Sequence, residues 1–147
     1  MSIRLRFLDE PGIFPKLIKF WQWSQISHVE FVFKDGYLGA DFPGGVQLKP
    51  FAYARPKKVW YGNVDCSDEV SKQVEAFARG RLGTPYSLLG IIGFVIKHDF
   101  NKQGSFFCSE FILAAFESAG YPLLDLQELD RCTPQDLFES PLVKIEV

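Results

Sequence analysis

Cys108 and His28 are the two residues of this chain whose types together define a chemistry. A thiolate beside an imidazolium is a nucleophile with its own proton carrier, the pairing that opens amide and ester bonds through a thioester. Cys108 falls in the first turn of a helical pattern, FFCSEFILAAFESA. Unpaired backbone N–H groups and the positive end of the helix dipole favour a thiolate there. The same N–H groups can receive the oxyanion that forms when sulfur attacks a carbonyl. Taken alone, a cysteine in a helix is more often an inert buried one. A histidine supplies what it lacks, and the chain has two. His98 lies in the polar stretch KHDFNKQG, whereas His28 lies in the strand pattern SHVEFVF, and His28 is the expected base.

A third group must hold the imidazole in one tautomer. The sequence KDGY puts Asp35-Gly36 at a two-residue hairpin turn. Lys34 then faces Tyr37 and Glu30 faces Asp41, so His28, Glu30 and Asp41 share one face of the hairpin. Asp41 lies diagonal to His28, about 7–8 Å away between Cα atoms. Asp41 is the expected orienting acid and Glu30 the alternative. Two carboxylates directly opposed repel, so this register calls for a bulge or a shift between them. Glu110 follows Cys108 by two positions, points to another side of the helix, and reads as a favourable first-turn acid. Cys66 and Cys132 sit in turn-like settings and read as structural.

The elements that carry these residues follow from pattern. Ile3, Leu5 and Phe7 alternate with polar neighbours and predict a first strand. Pro11 opens a helix through Phe14, Leu17, Ile18 and Trp21. Strands follow at SHVEFVF and YLGADF, then around Val46 and Leu48 and over VWYGNV. Ser67 caps a helix with Asp68 and Glu69 in its first turn and Val70, Val74 and Phe77 as its stripe; Gly83 stops it. Leu88 to Ile96 reads as a buried apolar helix. Ser105 or a neighbour caps the cysteine helix, Gly120 ends it, a loop surrounds Thr133-Pro134, and LVKIEV is a last strand. The class is α+β, in one domain spanning residues 1–147.

Composition narrows the partners. The 147 residues carry a net charge of -2 and no Lys/Arg run beyond Lys57-Lys58, which argues against nucleic acid. The N-terminus lacks a secretory h-region, and the Leu88–Ile96 stretch is shorter than the roughly 20 residues a bilayer span needs. A weak contact of that stretch with a membrane surface stays open. Three widely spaced cysteines are no disulfide framework, and no CxxC or HxxxH pair suggests a zinc site. A reducing, cytoplasmic setting is expected.

With these residues in view, LGTPYSLLG followed by FFCSEFILAAFESAG resembles the LGxPYxxGG…DCSG signature of NlpC-type cell-wall peptidases. In that family the histidine follows the cysteine; here none does. The order instead resembles the circularly permuted branch, the YaeF/YiiX-like papain-fold amidases related to lecithin retinol acyltransferase. FPKLIKFWQWSQISHVEFVF resembles the helix and histidine strand, GADFPGGVQL the acidic strand, FFCSEF the cysteine helix, and CTPQDLFESPLV the close of the branch. The resemblance implies a permuted papain-like fold, with a central antiparallel sheet packed against a helix that bears the cysteine at its N-terminus. It implies Cys108 as nucleophile, His28 as base, Asp41 as orienting acid, and Tyr86 beside the oxyanion and substrate site. Phe107 stands where the family has an aspartate, and Leu89 or Gly90 where it has a second glycine. The rim is thus more apolar than in peptidoglycan peptidases, which argues against a muramyl peptide.

The implied reaction is cleavage of a small amide-, peptide- or acyl-containing substrate through a thioester, with no metal or organic cofactor. Two rivals remain. An acyltransferase of the lecithin retinol acyltransferase type would keep the thioester but pass the acyl group to an amine or lipid. A non-catalytic binding or assembly module would keep only the fold.

Overall fold

Apolar residues that alternate with polar ones in IRLRFLD and HVEFVF suit strands that bury one face on a core. Both segments are strands. The computed structural model describes residues 1–9, 26, 28–41, 44–53, 58–85, 107–124 and 134–146. These comprise β1 (Ser2–Asp9), β2 (His28–Phe33), β3 (Gly36–Asp41), β4 (Gly45–Lys49), β5 (Lys58–Asp65), α1 (Asp68–Gly80), α2 (Phe107–Ser118), α3 (Pro134–Phe138) and β6 (Lys144–Ile145). The strands form one sheet in the order β4-β3-β2-β1-β5-β6. Every neighbouring pair is antiparallel. The class is α+β, as expected.

Alternation gives the sheet two different faces. Leu5, Phe7, Val29, Phe31, Leu38, Ala40, Val46 and Val64 are buried on one of them. The helices cover that face. Phe31 meets Phe111 and Phe116 of α2 at ring separations of 6.3 and 6.2 Å, and Phe77 of α1 meets Phe111 at 6.1 Å. Phe138 of α3 sets its edge on Phe7 at 5.3 Å. Residues 108–116 of α2 are buried on every side, so this helix is the centre of the core rather than an amphipathic cover. The other sheet face carries Arg4, Arg6, His28, Glu30, Tyr37, Asp41 and Lys49.

Helix ends follow the sequence signals. The Ser67 hydroxyl accepts from the Val70 N–H and caps α1. After α2, Tyr121 N–H bonds the Phe116 carbonyl and Gly120 N–H bonds that of Glu117, with Gly120 at φ 71. This is a Schellman close, and it needs a residue free to take a positive φ.

Three expectations are corrected. The β2–β3 hairpin turns at Lys34-Asp35, not Asp35-Gly36, so Phe33 pairs with Gly36. Gly36 is a strand residue at φ 150, and a Cβ on it would run into the Lys49 carbonyl oxygen of β4. The close approach of β4, invisible to a local turn rule, leaves room only for glycine there. Pro134 begins a short helix rather than sitting in a loop, as suits proline at a first helical position. The final strand is only Lys144–Ile145. The helix expected from Pro11 to Trp21 and the apolar Leu88–Ile96 segment lie outside the described residues.

Candidate active site

His28 is the first residue of β2 and Cys108 the second of α2. The histidine therefore stands at a strand end, where the helix start can meet it. Both are buried, Cys108 to 3% exposure. Cys108 lies close enough to the imidazole to favour its protonation. Nε2 stands 3.1 Å from Asp41 Oδ1.

The observed register explains that approach. Phe31 pairs with Leu38, and the same spacing carried to the strand ends sets Gly39 against Glu30 and Asp41 against His28. A Cβ on Gly39 would come 3.0 Å from Glu30 Cβ, which marks the two as direct neighbours. Asp41 is thus opposite His28, not diagonal to it. The expected opposition of Asp41 and Glu30 does not arise, because a glycine takes the place across from Glu30. Asp41 is held from behind by Lys49, whose Nζ lies 2.7 Å from Oδ2.

Glu30, the alternative orienting acid, shares the face but is engaged elsewhere. Its Oε2 is 3.9 Å from His28 Nε2. Arg6 donates to Oε1 through Nε at 3.1 Å and Nη2 at 2.6 Å, and the Tyr53 hydroxyl lies 2.8 Å from both oxygens. Arg6 and Glu30 are cross-strand partners, exposed to 3% and 1%. The Arg6 guanidinium lies 3.4 Å over the Tyr37 ring, and Lys49 Nζ lies 4.5 Å over that of Tyr53. Charges alternate across the site, from Lys49 to Asp41 to His28 and from His28 to Glu30 to Arg6.

Electrostatics follow. Burial alone would push the His28 pKa down, but its contacts with Asp41 and Cys108 outweigh burial and hold it well above its ordinary value. Burial would raise Asp41, yet His28 and Lys49 keep its carboxyl below the usual range.

Glu110 is a first-turn acid as expected, but it is buried. It is exposed to only 2%, its Oε2 has no hydrogen-bond partner, and burial pushes its pKa up to about 9. Because α2 is buried all round, a side chain turned from the sheet still enters the core. Cys66 is half-buried between β5 and α1, and its backbone N–H donates to Met1 O. Tyr86, His98 and Cys132 lie outside the described residues.

Arg6, Tyr53 and Lys49 escaped the sequence reading. Arg6 had a signal: a cation alternating into the face that carries Glu30. Lys49 and Tyr53 had none, since a lysine ending an edge strand and a tyrosine in a turn read as surface residues.

A six-stranded antiparallel sheet with helices on one face and a histidine–carboxylate–cysteine cluster at a strand end defines the class of this α+β protein. Its fold is similar to that of the metalloprotein YiiX from Escherichia coli O157:H7, a DUF1105 protein. The TM-score is 0.72 at 17% identity, over 100% of this chain and 96% of YiiX. No protein-family model matches the chain, and no curated protein does. At that identity the likeness is one of fold.

Proposed function

We propose that the chain is a thiol-dependent hydrolase of the permuted papain-like, NlpC-related class, acting as one domain on an amide or ester bond. One observation carries the reading: Cys108 interacts with a buried His28 whose Nε2 faces Asp41 at 3.1 Å. Nucleophile, base and orienting acid come from three separate elements, and their meeting needs an explanation that core packing alone does not supply.

The steps balance as follows. With Nε2 turned to the carboxylates, Nδ1 takes the Cys108 proton, giving a thiolate and an imidazolium. The thiolate attacks the carbonyl carbon, and the oxyanion is received by backbone N–H groups in the first turn of α2. Tyr86 is the further residue proposed to line that site. The tetrahedral intermediate collapses, the C–N or C–O bond breaks, and the imidazolium gives its proton to the leaving amine or alcohol. A water deprotonated by the same ring then attacks the thioester, and the acid and free thiol are regenerated. Asp41, anchored by Lys49, fixes the ring and steadies its charge throughout.

That YiiX is a metalloprotein raises the question of an ion here. Among the described residues no group of three His, Cys, Asp or Glu side chains is placed to hold one. Asp41 and Glu30 are already neutralised by Lys49 and Arg6. These residues do not fit a metal centre, and no step above runs through one.

The test is alkylation of Cys108 by iodoacetamide, followed by peptide mass spectrometry so that Cys66 and Cys132 are read separately. His28→Ala is expected to slow Cys108 at pH 6.5 by roughly tenfold or more, as loss of a thiolate partner does, and to leave Cys66 unchanged. Equal Cys108 rates in both proteins would sink the pair. Trapping the thioester and offering it water or an amine then separates hydrolysis from acyl transfer.

A further inference from the structure

Glu30 has no part in the mechanism above, yet among the described residues it is one of the most deeply buried acids and is held by Arg6 and Tyr53. We propose that Glu30, clamped by Arg6 and Tyr53, is a second positioning carboxylate for His28, acting through space on the ring that Asp41 contacts directly. The inference rests on the reading of His28 as the working base.

Geometry carries it. Oε2 lies 3.9 Å from Nε2, too far for a hydrogen bond and near enough for a strong charge interaction in a buried setting. Three donors keep it there. Arg6 reaches Oε1 with two nitrogens from β1, and Tyr53 closes over both oxygens from the turn after β4. The Tyr53 ring lies beneath Arg6 at 5.4 Å and Lys49 at 4.5 Å. It therefore joins the cation that anchors Glu30 to the cation that anchors Asp41. Gly39 leaves the space across from Glu30 open, and a Cβ there would press on Glu30 at 3.0 Å.

Stability alone is a poor reason for such an arrangement. Well-packed apolar residues replace a buried ion pair at little loss and often with gain. An Arg–Glu pair with a capping tyrosine, built beside the histidine, fits a device that fixes where a charge sits. Among the described residues, Asp41, Glu30 and the Cys108 thiol stand around His28, with Lys49 and Arg6 behind the carboxylates. Glu30 is the member of that set whose removal leaves the Cys108–His28–Asp41 contacts in place.

The experiment is NMR titration of the His28 ring in the full chain without substrate. The chain has two histidines, so His98→Ala assigns the signals. Glu30→Gln is expected to lower the proton affinity of His28 by about threefold or more, the effect of losing a nearby opposite charge. Tyr53→Phe, which frees the carboxylate from its hydroxyl donor, is expected to leave that affinity equal or higher. Should Glu30→Gln fail to fold with Arg6 unpaired, the Arg6→Met/Glu30→Gln double variant takes its place. Its His28 affinity is still expected to fall, since Oε2 faces the ring at 3.9 Å while Arg6 binds Oε1 behind it. A folded variant that titrates like the wild type would overturn the proposal. Failure of the clamp is distinct from failure of the hydrolase reading, since slow Cys108 alkylation in His28→Ala with no Glu30 effect keeps the pair and removes only Glu30.

Discussion

His28 and Asp41 stand across from each other at the open end of the β2–β3 hairpin, with Nε2 3.1 Å from Oδ1. A hairpin of this register needs no bulge to bring them together. Lys49 on the far side of Asp41, at 2.7 Å, keeps the carboxylate charged and fixed. The arrangement ties the protonation of the ring first to the carboxylate it faces directly, and several consequences can be measured.

Asp41→Asn keeps the shape of the side chain and removes its charge. Alkylation of Cys108 at pH 6.5 is expected to fall by roughly tenfold or more, as loss of the carboxylate that orients and stabilises an imidazolium does. Lys49→Met, which leaves Asp41 in place, is expected to do less. Peptide-resolved alkylation rates check both, and an Asp41→Asn rate equal to wild type would remove Asp41 from the site.

Stability should carry the signature of His28. Its pKa is raised in the folded chain, with burial opposed and outweighed by Asp41 and Cys108. The folded state binds the proton more tightly than the unfolded one. The resulting stability is fully present below about pH 6.5, the ordinary histidine value, and is lost as pH rises through the folded value. Asp41, held low despite burial, behaves oppositely, contributing above the ordinary carboxylate range and losing that contribution in acid. Urea unfolding from pH 6 to 9 should show a decline that flattens in His28→Gln.

Glu110 adds a second decline of separate origin. Its carboxyl titrates at about 9 when buried against an ordinary 4.5. Between those values the unfolded chain loses the proton and the folded chain keeps it, so stability falls as pH rises. The slope is at most about 1.4 kcal/mol per pH unit. Glu110→Gln should match wild type in its response near pH 4 and become progressively the more stable protein toward pH 8. Denaturation midpoints of the two proteins across that range decide it.

Gly36→Ala tests the register of the hairpin. Its φ of 150 is a conformation that side-chain-bearing residues rarely adopt, and the new Cβ would meet the Lys49 backbone carbonyl. Backbone atoms cannot swing aside, so a loss of about 1–3 kcal/mol is expected, in the range of overpacked sites. Gly80→Ala is the control, since nothing lies within 4 Å of the added methyl. Thermal melts of the two variants should separate clearly.

The sequence by itself determined the strand alternation, the Ser67 and Gly120 helix ends, the α+β class, and the face shared by His28, Glu30 and Asp41. Each depends on neighbours a few residues apart, or on the two-residue period of a strand, which a one-residue change in the turn pair leaves intact. Tertiary structure decided which residues meet across that face. It placed the turn at Lys34-Asp35 and so set Asp41 opposite His28 rather than opposite Glu30. It also brought Arg6 and Tyr53 onto Glu30 from β1 and a distant turn. Finally, it buried Glu110, because α2 is surrounded rather than exposed on one side. Such contacts join segments far apart in the chain, and no local pattern encodes which of them will touch.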